Sequence, residues 1–178
     1  MVIGAIFAGG IGSRMGSADM PKQYLQLGSK PIIVHTIEKF VVNPGIDRII
    51  VLCPKAWIAH TKDLVKKYLG EAIAEKINVV EGGSTRNGTL ENALKFINEN
   101  FAIDDDSVIV THDAVRPFVT HRIIDENIEA EEIRRVRHCY SRNGYNSPQR
   151  GQRKCQQHPD QKRAVSGSDS AVLQNKGA

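Results

Sequence analysis

A chain of 178 residues is long enough for one domain with an ordinary apolar core and short for two. Three scattered cysteines, Cys53, Cys139 and Cys155, exclude a secreted disulfide framework and a CxxC metal site, and point to a reducing cytoplasm. No apolar run approaches the ~20 residues of a membrane span, and Met1 to Gly10 lacks the charged flank and cleavage site of a leader, so no membrane partner is expected.

The first stretch of β-branched and apolar residues predicts a strand over Val2–Ala8, followed by a glycine-rich loop from Gly9 to Met20. A helix is expected at Ile32–Val42, a strand at Arg48–Leu52 and a helix at Trp57–Tyr68. A strand at Asn78–Glu81, a helix at Gly88–Asn100, a strand at Ser107–Thr111 and a helix at Thr120–Ala130 complete the series. Strands alternating with helices imply βαβ units, hence an α/β fold with a Rossmann-like, mostly parallel sheet and helices on both faces. Ligands of such sheets bind beyond the carboxyl ends of the strands.

After Ala130 the character of the chain changes. Of 24 Lys and Arg, 14 precede that point and 10 follow it, whereas the 20 Asp and Glu divide 16 and 4. The pI near 9.0 is therefore a property of the tail, and the first 130 residues carry a net charge of −2. From about Glu131 apolar residues become rare and no period survives, so 1–130 reads as a nucleotide-binding α/β domain and 131–178 as a basic, irregular tail. An uncovered sheet edge is expected where the regular pattern stops.

Three strand-end loops carry the candidate chemistry. The first is Ala8-Gly-Gly-Ile-Gly-Ser-Arg-Met-Gly16, in which Gly9, Gly10 and Gly12 let the backbone approach an anion. It is neither a dinucleotide fingerprint nor a Walker A loop. A tight βα turn is one reading. The addition of Arg14 and of Lys22 in Pro21-Lys-Gln-Tyr24 supports the other, a polyphosphate site with two converging cations.

The second loop, Glu81-Gly-Gly-Ser-Thr-Arg-Asn-Gly-Thr89, reads as a capped helix start with a surface arginine, or as a base-edge site to which Arg86 and Thr89 add polar contacts. The third is Thr111-His-Asp-Ala-Val-Arg-Pro117, where Asp113 could hold a divalent ion, cap a turn or pair with Arg116. His112 is expected to pack and hydrogen-bond, Trp57 to anchor a helix, Cys53 to be a buried thiol and Asp104 to Asp106 to form a solvated turn.

At these residues the sequence resembles the cytidylyltransferases that act on small sugar or polyol phosphates, the family of the 2-C-methyl-D-erythritol 4-phosphate and ribitol 5-phosphate enzymes. AGGIGSRM, PKQYL, GGSTRNGT and THDAVRPF occur in the family's order and spacing between Met1 and about Ala130. HTIEKF, the Trp57–His60 stretch and THDAVRPF look more like the ribitol branch. The resemblance implies CTP and a polyol phosphate as substrates and Mg2+ as cofactor. It implies Arg14 and Lys22 as catalytic cations, and Ala8, Gly9, Gly10, Gly12, Ser13, Gly83, Arg86 and Thr89 as nucleotide contacts. It also implies Asp113 as the acidic residue near metal and substrate.

The family's last third supplies more sheet, a further lysine and aspartate at the reacting phosphate, and an arm used for homodimerisation. None of that pattern is readable after Ala130, so neither the homodimer nor full activity is expected of this chain. When each tail residue is written as its codons and regrouped by one base, Gln157 to Val172 permits NIPIRSELYQGQTPQS and Glu132 to Asn146 permits KYGASDTVIPATDTI. Both strings resemble the family at this place, which suggests a one-base slip in the coding sequence near Ala130. A function of another class, a non-catalytic nucleotide binder or a nucleic-acid-binding protein with a basic arm, rests on Arg134, Arg135 and Arg137. The slightly acidic globular part and the scarcity of aromatic residues in the arm argue against nucleic acid.

Overall fold

The computed structural model describes residues 1–10, 20–104 and 106–130, and the backbone of 164–166 and 170–174. Strand β1 (Val2–Phe7) lies in the middle of the main sheet, between β4 (Arg48–Cys53) and β6 (Val108–Asp113), and β5 (Ile77–Glu81) pairs with β4. These four strands are parallel, in the spatial order β5-β4-β1-β6. The order reverses at β1, so the crevice between the ends of β1 and β6 is the topological switch point. Two antiparallel strands, β7 (Ala164–Ser166) and β8 (Ser170–Gln174), extend the sheet beyond β6.

The edge of β6 that was expected to stand bare is therefore covered. Its backbone groups find partners in β8, from Val108 opposite Gln174 to His112 opposite Ser170. The remainder of the expected irregular tail lies outside the described residues.

Helices cover both faces. Ile33, Val34, Ile37 and Phe40 form one apolar stripe of α1 (Ile32–Val41), and all four are buried. With α2 (Ile58–Leu69) and a helix over residues 121–130, here α5, this stripe closes over Ile6, Val51, Val79 and Val110. The other face is sealed by α4 (Arg86–Asn100), whose Ala93 and Ile97 meet Ile3, Ala5, Ile50, Leu52 and Ile109. Alternate residues of β1 thus serve opposite layers, as the two-residue period of a strand requires. On the α1 face stands Gly4, where a Cβ would lie 2.6 Å from Phe40 Cδ1, so the helix rests almost directly on the strand.

The observed elements refine the expected ones. Thr85 caps α4, its hydroxyl accepting from Gly88 N at 3.0 Å, and so starts the helix at Arg86, two residues before the expected Gly88. A 3-10 turn over Lys55–Trp57 precedes α2, which runs to Leu69 and stops at Gly70 with φ +83°. Strand β6 runs on to Asp113 because its parallel register continues to Phe7 opposite Asp113. Two small elements were not expected: helix α3 (Glu71–Ala74) and a hairpin of β2 (Gln26–Leu27) with β3 (Lys30–Pro31), which turns at Gly28 with φ +67°.

Candidate nucleotide site

The three loops singled out in the sequence leave the carboxyl ends of β1, β5 and β6. The chain departs from the sheet at Ala8, whose N–H still donates to Leu52 O at 2.7 Å. Gly9 and Gly10 follow. A Cβ on Gly9 would lie 3.7 Å from Thr89 Oγ1 and 3.9 Å from Gly83 O, so the first loop starts against the second. Gly12, Ser13 and Arg14 fall outside the described residues.

After Pro21 comes a 3-10 turn, Lys22–Tyr24, that puts Lys22 half-buried and directly before two anchored residues. Gln23 is 1% exposed and donates from Nε2 to Ala8 O at 2.6 Å. Tyr24 stacks on Trp57 with 4.5 Å between ring centroids, and its hydroxyl lies 2.9 Å from Thr61 Oγ1. Burial holds the Tyr24 phenol protonated well beyond its ordinary range and likewise pushes the Cys53 thiol up. Cys53 is a buried free thiol and Trp57 a packing anchor, as expected.

The second loop is a turn built on one hydroxyl. Thr89 is 3% exposed; its Oγ1 accepts from Gly83 N at 3.1 Å and faces the carbonyl oxygens of Thr85 at 2.9 Å and Gly83 at 3.3 Å. One hydroxyl proton serves one of those carbonyls at a time, so the group is committed to holding the turn. Gly82 N donates to Cys53 O at 2.9 Å, which ties the turn to the end of β4. A Cβ on Gly83 would lie 2.3 Å from Gly88 C and 2.6 Å from Thr89 N, so only glycine fits. The turn therefore offers main-chain groups to a ligand, and the capped-helix reading and the base-edge reading of this loop are compatible.

The third loop concentrates charge. Asp113, the last residue of β6, accepts from Arg86 Nη1 at 2.6 Å on Oδ1 and from Arg116 Nε at 3.2 Å on Oδ2. Arg86 also lies over the Phe7 ring, 5.4 Å from its centroid, and so links all three loops. His112 is 1% exposed, with Nε2 3.0 Å from Arg116 O, and packs against Phe40, the role expected of it. Ala114 N donates to Phe7 O at 2.9 Å and Thr36 Oγ1 to Ala114 O at 2.9 Å, which fixes the backbone beyond Asp113.

Among the described residues no three His, Cys, Asp or Glu side chains gather to hold a metal ion. Mg2+ bound with a nucleotide needs less than that, one or two carboxylates with phosphate oxygens and water completing the shell. A carboxylate has about four lone-pair sites, and the two arginines leave capacity on both oxygens of Asp113, so the residue fits such a role. Sequence reasoning missed Gln23, Phe7 and Thr36 as supports of the site. Gln23 lies within the Pro21-Lys-Gln-Tyr24 motif, whereas nothing in the pattern marks Phe7 or Thr36.

A parallel sheet with a glycine loop at its switch point, a main-chain turn beside it and an arginine-bracketed aspartate defines an α/β protein of the nucleotidyltransferase type. Residues 2–137 match the family model of IspD, 2-C-methyl-D-erythritol 4-phosphate cytidylyltransferase, and the chain belongs to that family. It is 51% identical over 130 residues to ribitol-5-phosphate cytidylyltransferase of Lactiplantibacillus plantarum, a match covering 73% of this chain and 54% of the relative. The chain thus spans about half the length of the curated relative it matches.

Among solved structures, 2-C-methyl-D-erythritol 4-phosphate cytidylyltransferase of Francisella tularensis is 33% identical with a TM-score of 0.55, covering 74% of this chain and 52% of that one. The 4-diphosphocytidyl-2C-methyl-D-erythritol synthase of Anaerococcus prevotii is 29% identical with a TM-score of 0.54, covering 72% and 49%. No helix among the described residues is long and apolar enough to cross a membrane.

Proposed function

We propose that this chain carries the nucleotide half of a cytidylyltransferase that moves CMP from CTP to a small polyol phosphate, ribitol 5-phosphate, with release of pyrophosphate. The observation that supports the reading most directly is the meeting of the three loops: Gly9 against Gly83 and Thr89, and Arg86 bonded to Asp113. The 51% identity to a ribitol-5-phosphate enzyme supports that acceptor over 2-C-methyl-D-erythritol 4-phosphate. A CDP-polyol of this kind serves polymer synthesis such as that of teichoic acids.

In this reading an oxygen of the acceptor's phosphate attacks the α-phosphorus of CTP, the bond from that phosphorus to the bridging oxygen breaks, and pyrophosphate leaves. Charge builds on the α-phosphate in the transition state, where Arg14 and Lys22 would meet it. The main chain of Ala8 to Gly10 would lie along the phosphates, with Gly12 and Ser13 continuing it, and the Gly82–Gly83 turn would receive the cytosine edge. Arg86 and Thr89 hold that turn in place beside Asp113. Asp113 would hold Mg2+, which neutralises phosphate charge when bound. The cytoplasm is the fitting compartment, with its CTP pool and reducing conditions for Cys53.

The family's lysine and aspartate near the α-phosphate have no counterpart in the reading of 131–178, and the one-base slip proposed for that segment accounts for their loss. The chain is therefore expected to bind CTP with Mg2+ weakly and to turn over far more slowly than a complete relative. The same loss argues against the family's homodimer. Isothermal titration with CTP and Mg2+, and a pyrophosphate-release assay with each polyol phosphate, test this. No CTP binding would overturn the nucleotide site, preference for the erythritol substrate would overturn the acceptor, and turnover like that of a complete enzyme would overturn the impairment. Sequencing codons 128–134 tests the slip, which an intact frame would refute. Where release is measurable, Lys22→Ala lowers it by about 10²- to 10³-fold.

A further inference from the structure

Gln23 combines burial with two polar features that a packing residue does not need. It is 1% exposed, its Nε2 donates to Ala8 O at 2.6 Å, and its Oε1 is buried without a hydrogen-bond partner among the described residues. The orientation of the carboxamide follows from chemistry, because an acceptor turned toward the Ala8 carbonyl would be repelled. A methionine would fill the same volume and leave no orphaned oxygen.

The bond it makes is placed at a junction. Ala8 is the residue at which β1 leaves the sheet, held through its N–H by Leu52 O and through its carbonyl by Gln23. On the other side Gln23 shares a single 3-10 turn with Lys22, and Tyr24 pins that turn to Trp57 and Thr61. The Lys22 backbone is thereby held directly before two buried residues and referenced to the exit of β1.

We propose that Gln23 is a positioning residue that sets Lys22 against the entry to the glycine loop, and that its bond to Ala8 O is the link through which it acts. This rests on the reading of Lys22 as a phosphate-facing cation. The buried Oε1 is the residual cost of that link.

The test follows Lys22 itself, so that it works however slow turnover is. The chain is labelled with acetic anhydride, with and without saturating CTP and Mg2+, and acetylation at Lys22 is read by mass spectrometry with the exposed Lys62 as internal control. In the unsubstituted chain CTP is expected to protect Lys22 and not Lys62. Gln23→Met is expected to keep the thermal midpoint, since the lost bond and the removed orphan oxygen offset each other. It should nevertheless lose about tenfold in Lys22 protection, the equilibrium equivalent of one buried hydrogen bond.

Gln23→Asn, which keeps the carboxamide on a shorter stem, is read in the same way should the methionine variant not fold. Protection unchanged in a folded variant, or loss of the folded state in both, overturns the proposal. No CTP binding and no protection in the unsubstituted chain would instead overturn the functional reading on which it rests.

Discussion

The turn around Gly83 and the carboxylate of Asp113 occupy neighbouring strand ends and are stabilised by opposite means. The turn is neutral and closed: Thr89 and Thr85 tie it internally, Gly82 is tied to Cys53 O, and there is no space for a Cβ at Gly83. Asp113 is open and charged, with about half-exposed arginine partners on both oxygens. A rigid array of main-chain groups suits recognition of a flat, neutral base edge. An exposed charge cluster can exchange partners as phosphate arrives, because partly solvated ion pairs cost little to rearrange. The neutral region should answer to shape and the charged one to salt.

The strongest way to break this contrast is at Gly83. Gly83→Ala places a Cβ against main-chain atoms that cannot rotate away, and about 3 kcal/mol of stability should be lost in urea unfolding. An unchanged midpoint would show that the turn yields and that its rigidity is no template. Thr89→Val keeps the volume but strands the half-buried Gly83 N–H, for an expected loss of about 1 kcal/mol that is the same at low and high salt.

Asp113→Asn should behave differently in kind. The stability change is expected to stay within about 1 kcal/mol at low ionic strength, because both arginines are about half exposed, and to vanish near ~1 M salt. A large, salt-independent loss would place Asp113 with the neutral region instead. The smallest effect concerns pH. Tyr24 and Cys53 hold their protons longer folded than unfolded, so their contribution is complete below about pH 9, the ordinary value of the thiol, and declines as pH rises through the thiol and phenol ranges. Tyr24→Phe should flatten the part of that decline above pH 10, the phenol's ordinary value, measured as urea midpoint against pH.

Much of this contrast is legible in the residues themselves. Alternating strands and helices identify the sheet, the glycines locate the loops, and Asp113 falls at a strand end because an apolar strand precedes it. Partner choice is not legible. Three roles are open to Asp113 in the sequence, and pairing with Arg116 is one of them, but the bond to Arg86 is not, because it depends on α4 bringing that residue beside β6, a contact separated by 27 positions. The Gln26–Pro31 hairpin leaves no pattern because two-residue strands carry no period, and only Gly28 marks the turn. Periodicity starts helix α4 late because Gly88 weakens the local helical signal, whereas the Thr85 cap determines the start.

The missing side chain at Gly4 gives the molecule a height gauge. With no Cβ beneath it, Phe40 seats α1 at a fixed depth on β1, and the same ring touches His112, the residue before Asp113. One turn earlier on α1, Thr36 holds the carbonyl of Ala114, the residue after it. The spacing between one strand and one helix therefore sets the elevation of the acidic loop from both flanks. Even Gly4→Ala should act at a distance, raising α1 and carrying Asp113 out of line with the glycine turn, although it touches no residue of the site.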